Sequence, residues 1–156
     1  MREILDTLDR WTGDGLRVAT ATLVQTERSA PREVGSVMAV SERGDVAGSL
    51  TGGCVEPAIY EDARDVLAGG PARLRTYGIE DEEAFEAGLP CGGTVHVFVN
   101  TIERELVREL SVAVRAEASV ALAMQVSGPA TGEQEIVPLD GRSEPALEGE
   151  IGRAHV

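Results

Sequence analysis

The sequence predicts an α+β fold, a single domain with a mixed β-sheet flanked by helices. Three observations carry this expectation. Segments of strand-like pattern, such as "LRVATATLVQT" and "TVHVFV", are interspersed with segments of helical period. "SVMAV" and "VAGSL" are joined by the short turn-like stretch "SERGD", a hairpin connection rather than the helical crossover of a doubly wound parallel sheet. The 156 residues, 42% of them hydrophobic, suit one compact core.

The elements follow in order. Ile4, Leu5, Leu8 and Trp11 share one helical face, and "TGDG" ends that helix. "LRVATATLVQT" is rich in β-branched residues and reads as a strand. "ERSAPREVG" is a loop punctuated by Pro31 and Gly35. After the two strands of the hairpin and the turn "TGG", the period changes. Val55, Ile59, Ala63, Val66 and Leu67 fall at helical spacing, until Gly69, Gly70 and Pro71 stop the helix. "RLRTYG" reads as a strand, and the acidic "EDEEAFEAG" as a short helix or loop with a solvated face. In "TVHVFV", Val95, Val97 and Val99 face one way and Thr94, His96 and Phe98 the other. Asn100 or Thr101 is placed to cap a helix with Leu106, Leu110 and Val114 on its inner face. "SVALAMQV" and "EIVPL" read as strands around the turn "SGPATG". The stretch "DGRSEPALEGEIGRAHV" has weak signals and reads as a partly disordered tail.

Composition removes several function classes. A formal net charge of -13 leaves no basic stripe for nucleic acid and disfavours an anionic membrane surface. No apolar run approaches the roughly 20 residues of a membrane span, and the start lacks the features of a signal peptide, so the expected location is cytoplasmic. All 14 basic residues are arginine. Without lysine there is no Walker A lysine, Schiff base or lysine nucleophile. No G-x-G-x-x-G occurs, so no NAD site is expected.

The two cysteines are the informative residues. Cys54 follows Gly52 and Gly53 at the start of a helical pattern, and Cys91 precedes Gly92 and Gly93 at the start of a strand. A helix N-terminus lowers a thiol's pKa, and glycines let backbone amides approach an anion. Glu56 lies in the same first turn, where acid favours the helix and opposes a neighbouring thiolate. Each Gly-Gly, taken alone, reads equally as a tight turn beside a small buried hydrophobe. Two such junctions at strand ends point instead toward a shared sheet edge, where ligand sites gather. The spacing is wrong for structural zinc, and a Cys91–His96 pair competes with His96 as a half-buried strand histidine. Arg28 and Arg32 flank "SAP" and suit a phosphate or carboxylate, or simply pair with Glu27 and Glu33.

The ordered blocks "SAPREVGSVMAV", "GDVAGSLTGGCVEPAIYEDARDVL", "RLRTYG" and "DEEAFEAGLPCGGTVHVFV" resemble the XdhC/CoxI family, accessory and maturation proteins of molybdenum hydroxylases. The resemblance spans roughly residues 20–100 and reaches only the family's N-terminal domain. It implies a molybdenum-cofactor chaperone for a xanthine dehydrogenase or carbon monoxide dehydrogenase type enzyme, a maturation factor more than a turnover enzyme. The molybdenum cofactor (molybdopterin) would be transient cargo. Partners implied are the apo-hydroxylase, a cysteine desulfurase, and a separate Rossmann-domain chain or a second copy of this chain. Cofactor-binding candidates are Cys54, Cys91, Gly52, Gly53, Gly92, Gly93, Arg32, Arg28 and Glu56, with Cys54 and Cys91 as the contacts for molybdenum or sulfur.

The expected organisation is an XdhC/CoxI-like domain over 1–126 and a C-terminal hairpin and tail over 127–156, without the Rossmann domain of longer members. Two other functions compete: a sulfur-transfer or redox protein using Cys54 or Cys91, and a structural domain docking on a separate Rossmann subunit.

Overall fold

The computed structural model describes residues 1–27, 32–53, 55–78, 93–139, 147 and 151–155. The acidic stretch 80–86 therefore lies outside the described residues. A 3-10 turn, Arg2–Ile4, leads into α1 (Leu5–Gly13). Then come β1 (Val18–Glu27), β2 (Val37–Ser41), β3 (Val46–Gly48), α2 (Glu56–Leu67), β4 (Arg73–Tyr77) and β5 (Thr94–Ile102). The chain continues with α3 (Arg104–Arg115), β6 (Val120–Gln125), β7 (Gln134–Pro138) and β8 (Ile151–His155).

The class is α+β, as the patterning predicts. The single mixed sheet is not what forms. A five-stranded sheet, ordered β3-β2-β1-β5-β4, stands apart from a three-stranded sheet, ordered β7-β6-β8, and every pairing is antiparallel. Periodicity reports which face a side chain takes, not the direction of the neighbouring strand. That is why the expectation erred on this point.

The alternation along β1 and β5 makes the larger sheet two-faced. Ala19, Ala21 and Leu23 join Val95, Val97 and Val99 against Ile59, Ala63 and Val66 of α2. Val18, Phe98 and Ile102 turn the other way, onto α1, α3 and the small sheet, where Leu8, Leu110, Leu122 and Ala154 complete a second cluster. Each face is covered by an amphipathic element, which is what buries an antiparallel sheet on both sides. Among the described residues, no helix is long and apolar enough to cross a membrane.

Two further expectations are corrected. Asn100 and Thr101 do not cap α3, because β5 runs on to Ile102 and Glu103 takes the N-cap position. Asn100 pairs with Thr20 on β1, and its buried Oδ1 accepts from the Thr20 hydroxyl at 3.2 Å. The C-terminal stretch contributes an ordered strand. β8 pairs with β6 over Ile151–His155 and carries Ala154 into the core. The stabilising contacts are all distant in sequence, so local pattern could not show them.

Candidate functional site

The topology gathers the singled-out segments at one end of the large sheet. β1 ends at Glu27, beside the start of β5 at Thr94, and β4 ends at Tyr77 opposite Val95. β2 begins at Val37, and β3 ends at Gly48 beside Met38. The connections 28–36, 49–55 and 78–93 therefore leave from the same end. They carry, respectively, Arg28 and Arg32; Gly52, Gly53 and Cys54; and Cys91, Gly92 and Gly93. Cys54, Cys91, Gly92 and Arg28 themselves lie outside the described residues. Of the rest, Gly93 is buried immediately before β5.

Glu56 opens α2, with Val55 at the N-cap and Pro57 behind it, where a missing N–H does no harm. Its side chain does not point outward. Oε1 accepts from the Ser49 hydroxyl at 2.8 Å and from the amides of Leu50, Thr51 and Gly52 at 3.0, 2.8 and 3.0 Å. Oε2 accepts from the Thr51 hydroxyl at 2.7 Å and the Gly53 amide at 2.9 Å. Burial alone would push this carboxyl up. The hydrogen bonds from Thr51 and Ser49 outweigh it and hold the group well below the usual carboxylate range. Gly52 and Gly53 have φ of +84° and +120°, and this turns their amides inward. The sequence suggests that these amides face a ligand anion. In the structure they donate to Glu56.

Sequence reading missed this role, having taken Glu56 as a partner of the helix N-terminus. No capping-box pattern marks it: with Val55 at the N-cap, Glu56 is the first helical residue, not the third, where a capping-box glutamate sits.

Ser49 also borders a cleft of about 290 Å³ lined by Arg32, Ser36 and the N-terminal turn. That volume is at the lower end for small-molecule sites. The Arg32 guanidinium approaches Glu3 at 3.8 Å across an exposed surface, a contact too loose to hold it. Arg32 thus presents a cation next to the glycine loop without a strong partner among the described residues.

His96 is half-buried on β5. Its Nδ1 lies 3.0 Å from the Thr76 hydroxyl and its Nε2 3.3 Å from Glu27 Oε1. Both ring nitrogens are engaged across neighbouring strands, which fits a strand histidine tying three strands together. On the α2 side, Asp62 collects Arg73, Arg75 and the Tyr77 hydroxyl from β4. Among the described residues, no cluster of three or more His, Cys, Asp or Glu is placed to hold a metal ion.

The XdhC and CoxI family model matches residues 11–78. The chain is 37% identical over 81 residues to the molybdenum cofactor insertion chaperone PaoD of Escherichia coli (strain K12), covering 52% of this chain and 25% of that protein. It is 32% identical over 100 residues to a probable xanthine dehydrogenase subunit of Bacillus subtilis (strain 168), covering 63% of this chain and 30% of that protein. It therefore spans less than a third of either relative's length. A crystal structure of a xanthine dehydrogenase from Bacillus halodurans shares the fold, with a TM-score of 0.70 at 24% identity, over 86% of this chain and 41% of that one.

Proposed function

Residues 11–78 belong to the XdhC and CoxI family, and from this we infer that the chain binds the molybdenum cofactor and helps insert it into a molybdenum hydroxylase. The observation that carries the reading is the convergence of three connections at one sheet end, beside the Arg32 cleft. Those connections bear both cysteines, the Gly-Gly pair beside each of them, and both arginines of interest. The likeness to the insertion chaperone names the cargo class.

The donor set fits that cargo. A pterin phosphate is matched by the bidentate guanidinium of Arg32, with Arg28 on the same connection. Molybdenum with its dithiolene, or sulfur in transit, is matched by the soft thiolates of Cys54 and Cys91. Gly92 and Gly93 let the backbone come close beside Cys91. Gly52, Gly53 and Glu56 build the loop that precedes Cys54. The client is a hydroxylase of the xanthine dehydrogenase or carbon monoxide dehydrogenase type, and a cysteine desulfurase supplies sulfur. The site operates in the cytoplasm, with a second copy or a Rossmann-domain chain completing it. In this reading the chain is a carrier without turnover of its own.

The test is an anaerobic titration with molybdenum cofactor. Wild type is compared with the Cys54→Ala, Cys91→Ala double variant. Stoichiometric binding that is lost in the variant is the expected result. Wild type that fails to bind would remove the carrier role from this chain alone and favour a docking domain. Cysteine-dependent sulfur transfer without affinity for the cofactor would favour the thiol-enzyme alternative.

A further inference from the structure

The loop of residues 49–53 already contains an anion. Four consecutive amides, from Leu50 to Gly53, and two hydroxyls converge on one carboxylate, that of Glu56, at 2.7 to 3.0 Å. Converging backbone N–H groups of this kind form the nests in which proteins hold phosphate and other anions. Here six donors meet about four lone-pair sites, so the carboxylate is saturated. Glu56 is also tethered to the loop by a few covalent bonds. Its effective concentration therefore far exceeds that of a free anion.

The loop's shape depends on this arrangement. Gly52 and Gly53 hold left-handed φ values, and among the described residues no neighbour lies within 4 Å of either Cβ position. What the described residues supply to hold the turn is therefore the set of hydrogen bonds to Glu56. Ser49 adds a brace, donating to Glu56 while accepting from the Gly52 amide at 3.1 Å.

We propose that Glu56 is the positioning residue of the loop that precedes Cys54: its carboxylate occupies the loop's own anion nest, fixes residues 50–53 in one shape, and closes those amides to ligand phosphate. The consequence is a division of labour. The loop, one peptide bond from Cys54 in the chain, is left to govern the reactivity of that thiol. An anionic ligand group is left to the arginine side of Ser49. This holds whatever the cargo is, so it stands or falls apart from the molybdenum reading.

The experiment compares alkylation of Cys54 and Cys91 by iodoacetamide in the same molecules, read by peptide mass spectrometry. Cys91 serves as the internal reference, since general loosening of the fold raises both rates together. In Glu56→Ala the Cys54-to-Cys91 rate ratio should change about tenfold or more. Added formate, a free carboxylate for the vacated nest, should bring the ratio back. A ratio that stays put, or one that moves without recovery in formate, overturns the proposal. If Glu56→Ala does not fold, Glu56→Gln takes its place, with a smaller change expected because one oxygen is kept. Wild type provides an independent reading. Its Gly52 and Gly53 amide resonances should stay fixed under added inorganic phosphate, and phosphate-dependent shifts would overturn the closed nest.

Discussion

Arg75 closes on Asp62 with Nη2 2.9 Å from Oδ1 and Nε 3.1 Å from each carboxylate oxygen. Asp62 sits on α2 and Arg75 on the edge strand β4, so this contact ties the helix to the sheet. The Tyr77 hydroxyl donates to the same carboxylate at 2.8 Å, and Arg73 approaches it at 3.4 Å. The Asp62 side chain is only 14% exposed. Removing it leaves two guanidiniums and a phenol without their common acceptor. Asp62→Ala should cost about 2 kcal/mol, since the arginines can still reach water. Chemical denaturation checks this, and a loss under about 0.5 kcal/mol would mean that the cluster is ornamental.

The same cluster predicts an alkaline limb of instability. Burial, and then the hydrogen bond to Asp62, push the Tyr77 phenol above its ordinary value of 10.0. A group whose pKa is raised by folding contributes its stability in full below the unfolded value. That contribution is lost as pH climbs from there toward the folded value. Unfolding free energy should therefore fall above about pH 10, and Tyr77→Phe should flatten the decline. Equal slopes in the two proteins would show that Tyr77 ionises as freely folded as unfolded.

Much of this fold is legible in the sequence because its elements are amphipathic. Ile59, Ala63 and Val66 announce the buried stripe of α2, and Val95, Val97 and Val99 announce the face of β5 that meets it. What the sequence hides is pairing at a distance. Ala154 looks like one more small residue in a weakly patterned stretch until Leu122 pairs with it. The candidate site divides the same way. Glycine junctions beside both cysteines are visible, and their common sheet end follows once strand order is known. The occupant of the loop's amides is not visible, because an acid in a helix's first turn has an ordinary explanation of its own.

Arg32 carries a prediction about ionic strength. Its only ion pair among the described residues is the 3.8 Å approach to the exposed Glu3, so little holds its charge back from a ligand. Under the proposed function, Arg32→Ala should weaken molybdenum-cofactor binding by about three- to tenfold at low salt, the worth of roughly one hydrogen bond at an exposed site. The gap between wild type and variant should narrow as salt rises, because screening shortens the reach of an exposed charge. Titrations across a salt series check this, and a salt-independent gap would count against a contact with phosphate.

The last prediction concerns β8. Ala154 is fully buried against the cluster that holds Phe98, Leu110 and Leu122. Two residues before it on β8, Gly152 meets Val24 of β1 so closely that an added Cβ would lie 2.5 Å from Val24 Cγ1. The strand thus closes the small sheet over the large one. Ala154→Asp would place a carboxylate against that apolar cluster. A loss of at least about 3 kcal/mol is expected. Arg153 is exposed on the same strand, and Arg153→Ala should stay within about 0.5 kcal/mol, which separates burial from strand disruption. Thermal and denaturant unfolding of the two variants decide the matter. Were Ala154→Asp as mild as Arg153→Ala, β8 would be a dispensable appendage, and the core would have to close without it.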